Sequence, residues 1–403
     1  MKWNRNIKYA GLVPAIVIAV GVATAGATYD ALLNTLEENQ AITAEQAATL
    51  REQSPSYTVR PASGAVQDLQ IRGRVQAQFG YVDAKNNEGS DDFHTFEMRR
   101  VQLGLRGTLF DNVRAELEGV LIPGSSLAMR SAFLQWRAYK PAYIKIGYDK
   151  PWFSIDENTS SAEILTVERT LINNSIFPGT MTGAALDGEW SKLVYGAGIY
   201  TDSDNRNPGG SDAQYLYNAM AGLKLDDIVG AGNRLLVQAT YLNSDDPTGK
   251  FGGRFDDAIV GGAHFVSGRF DLRGEYFLAD SDGNDTKGWY IMPSLFVNDR
   301  IQAVVRYEQA ESDAERGLRA PGRYVRDVPS LSVRETLGDD GEVVSRVDPQ
   351  AGDQYQALYV GLNYYLSGHA HKLMIGVEVA ELKNTDAGKL ESTTAYTAWR
   401  MLF

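Results

Sequence analysis

The stretch DLQIRGRVQAQF, residues 68–79, decides the fold. Leu69, Ile71, Val75, Ala77 and Phe79 alternate with Gln70, Arg72, Arg74, Gln76 and Gln78. A period of two with one apolar face is the mark of a half-buried strand. The pattern recurs downstream. Val101, Leu103, Leu105 and Leu109 alternate with Arg100, Gln102, Arg106 and Thr108, and Val113, Ala115, Leu117, Gly119 and Leu121 with Arg114, Glu116 and Glu118. In a soluble sandwich the apolar face would be the core. In a membrane barrel it meets lipid, and the polar face lines a lumen.

Segment length and spacing favour the barrel. The alternating runs reach about ten residues, as a tilted membrane strand requires. Tight turns at Phe110-Asp111-Asn112, Lys140-Pro141-Ala142, 189–192, Val266-Ser267-Gly268 and Asn298-Asp299-Arg300 alternate with longer polar loops at 83–93, 150–181, 201–211, 243–255 and 311–352. Short turns at one end and long loops at the other are how outer-membrane barrels are built. The expected strands are 68–82, 94–109, 113–122, 129–139, 143–149, 182–190, 192–200, 212–225, 234–243, 257–267, 269–280, 286–297, 300–310, 354–366, 371–382 and 391–403. The fold class is therefore all-β, a sixteen-stranded antiparallel transmembrane barrel over 68–403, with both barrel ends periplasmic.

The flanks agree with export. Residues 1–27 read as a secretory signal peptide: Lys2, Arg5 and Lys8, an apolar run from Ala10 to Val22, then an Ala23-Thr24-Ala25 or Ala25-Gly26-Ala27 cleavage box. Residues 28–53 read as a short helical periplasmic segment, with Leu32, Leu33 and Leu36 on one face and a Thr43-x-x-Gln46 capping box. Residues 54–67, with Pro55 and Pro61, read as a linker. At the other end Trp399, Met401 and Phe403 share one face of the last strand. This is the pattern expected of a signal for barrel-assembly machinery. The bacterial outer membrane is the implied location, with its lipid and lipopolysaccharide as neighbours.

Composition sets further bounds. The absence of cysteine excludes disulfides and thiolate metal sites. The net charge of −12 excludes non-specific nucleic-acid binding, and loss of the signal peptide's bases makes the mature chain more acidic still. His94, His264, His369 and His371 form no arrangement with a serine and an acid that suggests a triad. The expectation is no enzyme, no cofactor and no metal. Acids in 83–93 and Asp280, Asp282 and Asp285 read as solvated loop surface, or as bridges through divalent cations to lipopolysaccharide.

Three stretches carry a family resemblance: ALLNTLEENQAITAEQAATL at 31–50, FEMRRVQLGLRGTL at 96–109, and IKIGYDKPWFSIDENTSSAEILTVERT at 144–170. The second resembles the family's paired-Arg strand, and the third its Gly-x-x-Lys-x-Pro-Phe strand exit, with Trp152 followed by Phe153 in the aromatic place, and then a loop with a Glu168-Arg169 pair. Together they resemble the phosphate-selective porin O and P family. The resemblance implies a homotrimer of sixteen-stranded barrels whose third loop folds inward as a constriction. The residues agree on that loop. It is long, and Ile155, Ile164, Leu165, Val167, Leu171, Ile172, Ile176 and Phe177 are apolar residues that an exposed tip would not favour. The alternative is a loop packed over the mouth or against a neighbouring subunit.

The expected solutes are small anions such as phosphate or polyphosphate. Arg72, Arg74, Arg100, Arg106, Arg114, Arg137 and Lys145 are expected in the lumen of the first five strands, with Lys150 and Arg169 in the constriction loop. Rings of Arg and Lys select anions, and the planar guanidinium suits phosphate. These bases have a plainer reading, as wall ion networks with Glu116 and Glu118 in a general diffusion porin. The long loop 311–352 leaves room for a barrel scaffold or adhesin.

Overall fold

In the computed structural model, the described residues are 57–59 and 65–403, apart from 88, 122–127, 140, 202–214, 245–254, 282–283, 314–316, 320–323, 330–333, 338–342, 348 and 385–387. The expected signal peptide, the expected helical segment and most of the expected linker fall outside them, as does most of the expected loops 201–211 and 243–255.

Sixteen antiparallel strands close on themselves. They are β1 Val66–Asn86, β2 Gly89–Leu109, β3 Val113–Val120, β4 Ala128–Trp136, β5 Tyr143–Asp149, β6 Met181–Trp190, β7 Leu193–Thr201, β8 Tyr215–Lys224, β9 Asn233–Ser244, β10 Asp257–Ser267, β11 Phe270–Ser281, β12 Asn284–Phe296, β13 Ile301–Ser312, β14 Gln354–Ser367, β15 His371–Asn384 and β16 Gly388–Leu402. Each pairs with its chain neighbour. The seam is β1 against β16, running from Arg74↔Leu402 to Lys85↔Glu391. Beyond it, Gly73 and Phe403 exchange two backbone hydrogen bonds, at 2.6 and 3.0 Å. Below that point the freed edge of β1 is taken by Tyr57–Val59, paired to Leu69–Ile71. Closure matters because lipid cannot satisfy an open strand edge.

The outer surface is apolar through the middle, with Leu105, Leu117, Leu134, Ile146, Ile291, Leu362 and Ile375 all exposed. Exposed aromatics flank this belt. Trp136, Trp190 and Trp399 lie toward the tight turns, and Tyr81, Tyr217 and Tyr241 toward the long loops. That is the girdle arrangement of a membrane barrel. The turns use left-handed backbone where two residues must reverse a twisted ladder: Phe110 and Asp111 have φ of 48° and 67°, and Gly268 has φ of 55°.

One expected loop is not a loop. Residues 83–93 continue the ladder, with Asp83↔Asp92 and Lys85↔Ser90, and β1 and β2 meet at a tip beyond Asn86. Asp83, Lys85 and Asp92 are exposed on the outer face, while Val82 and Ala84 keep the inner positions. Above the lipid belt an outer strand face meets water, so polarity there does not signal a loop. The expected loop 311–352 also contains structure: Leu318–Arg319 pairs with Ala351–Gly352, Val325–Asp327 forms a 3-10 turn, and Arg334–Leu337 pairs with Val343–Val347.

Candidate permeation path

The connection between β5 and β6 carries two short helices, α1 Ile155–Asn158 and α2 Leu171–Ile176. Ser154 and Thr170 cap them by accepting from Glu157 N and Asn173 N. The loop lies against the inner face of the wall. Its extended part, Ser161 to Glu168, has carbonyls with no ladder partner, and the wall supplies donors. Gln76 and Arg400 donate to Ser161 O at 3.1 and 3.0 Å, Lys372 to Ile164 O at 2.8 Å, Asn363 to Leu165 O at 2.9 Å, Arg400 to Val167 O at 2.6 Å, and Arg306 to Glu168 O at 2.8 Å. The helix starts have unpaired N–H groups, and the wall supplies carboxylates: Glu275 accepts from Ile155 N and Asp156 N, and Glu308 from Leu171 N. Phe153, Val167 and Ile172 are fully buried in the same contact.

The loop therefore covers inner faces of β6 to β16 and of β1, whose inward side chains are mostly buried. Along β2 to β5 the inward residues Glu97, Arg106, Glu116, Phe133, Lys145 and Asp149 remain partly exposed. At the turn end of this less covered wall a cavity of about 160 Å³ is lined by Gln70, Arg72, Arg74, Gln102, Arg106 and Glu118.

Two β-bulges bring extra cations inward. Opposite Gln76-Ala77 the register skips Arg99, and opposite Glu118-Gly119 it skips Arg130. An extra residue in one strand shifts its parity. Arg99 and Arg100 consequently both point inward although adjacent. Arg99 forks onto Glu168, Nε to Oε1 at 2.9 Å and the terminal nitrogen to Oε2 at 3.2 Å. Burial would raise the Glu168 carboxyl, but Arg99 and then Arg100 outweigh it and hold it at about 2. Arg100 donates to Gln76 at 2.8 Å, and Arg130 to Thr180 Oγ1 at 3.0 Å.

The other expected site residues sort by partner. Arg106 and Arg114 bind Glu116 at 2.8 and 2.6 Å, with Arg72 at 4.0 Å, so these three form a wall network. Arg137 donates to Gln135 and lies over Tyr143, and Lys145 pairs with Asp149 at 2.7 Å beside Phe133. Arg74 donates to Ser161 and Ser160 of the loop at 2.6 and 3.4 Å. Arg169 is a staple within the loop. It donates to Asp156 O, Glu157 O and Thr159 O at 2.9, 3.2 and 2.7 Å, and pairs with Glu157 at 3.3 Å. Lys150 also donates to Glu157 O, and lies 3.4 Å from that carboxylate. Burial pulls the Lys150 ammonium down to about 8 against the pull of Glu157. Arg169 lies within electrostatic reach of Arg74, Arg100 and Lys150.

The expectation that bases gather in the first five strands and the loop is incomplete. Arg306, Lys372 and Arg400 on β13, β15 and β16 are buried inward cations, used to dock the loop. Simple alternation identifies them, since Val305 and Trp399 beside them face outward. Arg99 and Arg130 escape that rule because of the bulges. The adjacent Arg99-Arg100 pair was the available signal for the first.

The phosphate-selective porin O and P family model matches residues 69–263. No protein with a curated description matches the chain. Solved structures share the fold at low identity. The outer membrane channel DcaP of Acinetobacter baumannii is 13% identical with a TM-score of 0.54, covering 86% of this chain and 99% of that one. The anion-selective porin from Comamonas acidovorans is 12% identical with a TM-score of 0.55, covering 83% and 99%. OmpT of Vibrio cholerae, in a trimer form, is 11% identical with a TM-score of 0.51, covering 83% and 99%. With a closed sixteen-stranded barrel, two aromatic girdles, a loop laid against the inner wall and this match, the chain is a β-barrel channel protein of the bacterial outer membrane that is similar to the phosphate-selective porin O and P family over residues 69–263.

Proposed function

We propose that the protein is a water-filled pore for passive diffusion of small anions, with phosphate-like oxyanions among its solutes. The carrying observation is an asymmetry. The loop covers the inner faces of β6 to β16 and of β1, and along its border with the less covered wall stand Arg74 of β1, Arg100 of β2 and Arg130 of β4, each without a carboxylate ion pair among the described residues. A fixed cation in a narrow aqueous path attracts an anion by roughly 1–4 kcal/mol at 4 Å, depending on the effective dielectric. That suffices to select and still permits release. Local charge governs passage, so an acidic chain can carry an anion path. The loop acts as the constriction, and Lys150 and Arg169 add positive charge at its edge. The family match and the anion selectivity in the name of the Comamonas protein support this reading, and the trimer form of OmpT supports a homotrimer.

A second reading is favoured by Glu116, which ties up Arg72, Arg106 and Arg114 and makes much of the wall an ion network. On that reading the channel is a general diffusion pore. Reversal potential under a salt gradient in a planar bilayer separates the two. Replacing Arg74, Arg100 and Arg130 together by Gln is expected to lower the anion-to-cation permeability ratio and weaken block of chloride current by phosphate. A cation-selective wild type, or an unaltered triple variant, leaves the general pore.

A further inference from the structure

The long connection between β13 and β14 sends a segment back into the barrel mouth. Leu318 is fully buried, and Tyr324, Val325 and Val328 are each 1% exposed. They join one apolar cluster with Val82 and Ala84 of β1, Leu171 and Ile172 of α2, Tyr355 of β14 and Tyr396 of β16. Val82 and Ala84 are inward-facing, and in an open mouth they would meet water. The ring of Tyr324 sits where Gly80 has no side chain. A Cβ on Gly80 would lie 2.2 Å from that ring. The ring also approaches Tyr396, with centroids 6.0 Å apart. Its hydroxyl donates to Glu97 Oε1 at 2.9 Å. Glu97 Oε1 also accepts from Gln78, which donates to Glu168 of the inner loop, both at 3.0 Å. Segment, wall and inner loop thus share one hydrogen-bonded chain.

We propose that this segment is a strap forming a second, outer size filter, with Tyr324 as its specificity-determining residue and Gly80 as its seat. The proposal rests on the reading of the protein as a channel. The groups packed at the seat are a phenol ring, a glycine and apolar residues, and the Glu97 carboxylate that the phenol meets is also held by Gln78. Among the strap's described residues the exposed charges are Arg319, Arg326 and Asp327, and none of them belongs to the buried seat. The strap therefore restricts the cross-section of the mouth, and its filter acts on solute bulk. The sign of the permeant ion is set below it, by the cationic wall.

The test uses the full-length protein as wild type, Tyr324→Ser and Gly80→Leu, each first checked for a heat-modifiable barrel. Tyr324→Ser empties the seat. Gly80→Leu fills it and expels the ring. Single-channel conductance, ion selectivity and the swelling of liposomes in neutral sugars of rising size are measured. The expected result is higher conductance and a larger sugar cut-off in both variants, with the anion-to-cation ratio unchanged. If Gly80→Leu fails to form a barrel, Tyr324→Ser carries the test alone. Wild-type conductance and cut-off in Tyr324→Ser overturn the strap and leave the channel intact. A changed ion ratio with an unchanged cut-off overturns it as well. Absence of current in the wild type and in every variant instead overturns the channel reading on which it rests.

Discussion

Arg99 and Glu168 meet in a two-pronged ion pair that joins a bulge of β2 to the inner loop. Gln78 adds a third hydrogen bond to the same carboxylate. Removing one partner of a buried pair typically costs about 3–5 kcal/mol, because the other charge is left uncompensated. Arg99→Ala is expected to loosen the loop and lower the midpoint of thermal barrel unfolding. Adding Glu168→Gln should recover most of the loss, since no lone charge then remains. A double variant no better than Arg99→Ala would remove the pair from loop docking.

The same carboxylate sets an acid limit. Its folded value of about 2 lies below the ordinary 4.5. The depressed value stabilises the docked loop fully above about pH 4.5, and that contribution fades as pH falls toward 2. Conductance traces at pH 5 should therefore match those at pH 7, with noise from loop motion rising only below about pH 4. In Glu168→Gln that acid-dependent noise should be missing.

Lys150 titrates from the other side. With the ammonium held near 8, its charge is lost as pH rises through that value. Anion preference, read as reversal potential, should fall between pH 7 and pH 9 in the wild type. Lys150→Met should start lower and stay flat over the same range. Arg169→Gln should behave differently. It loses three bonds to loop carbonyls, so thermal stability and selectivity should both drop. Equal thermal stability of Arg169→Gln and wild type would contradict the staple.

Glu116 offers a change of opposite sign. Glu116→Gln releases Arg106 and Arg114 from their shared carboxylate and leaves Arg72 without its nearest acid. One unit of charge at about 8 Å in water is worth about 0.5 kcal/mol, or about twofold in permeability. The anion-to-cation ratio should rise by about that factor. An unchanged ratio would mean that this wall lies off the ion path.

The last strand closes the barrel. Trp399 and Met401 pair with Ala77 and Val75, and Phe403 bonds Gly73. A chain lacking residues 399–403 leaves that stretch of β1 unpaired in lipid. It should be exported yet show no heat-modifiable band in outer-membrane extracts. A normal band would count against the seam as the closing step.

The strands were legible because period two with an apolar face is a strong constraint: a one-residue slip would put Arg72 and Arg74 into lipid. The inward folding of loop 150–181 was suggested by its apolar residues, but not which wall receives it. That depends on Arg306, Lys372 and Arg400, far away in sequence, meeting carbonyls of 161–168. Arg99 and Arg130 were illegible for a local reason, since a bulge breaks the parity on which the reading depends. The strap was hidden because Tyr324 and Gly80 are 244 positions apart, and neither is unusual alone.

The bulge at Arg99 also makes one position of a membrane strand dispensable to the ladder. Gln76 faces Arg100 and Ala77 faces Met98, so the skipped residue belongs to no pair. Deleting Arg99 would bring Met98 and Arg100 together without moving either from its partner or its face. Elsewhere in β2 a single deletion would turn half the strand inside out, driving Arg and Glu toward lipid. With Glu168→Gln to spare the orphaned carboxylate, a chain one residue shorter should assemble normally. In lineages of this barrel, residue number in β2 can then drift by one at this place, while its neighbours tolerate only exchange.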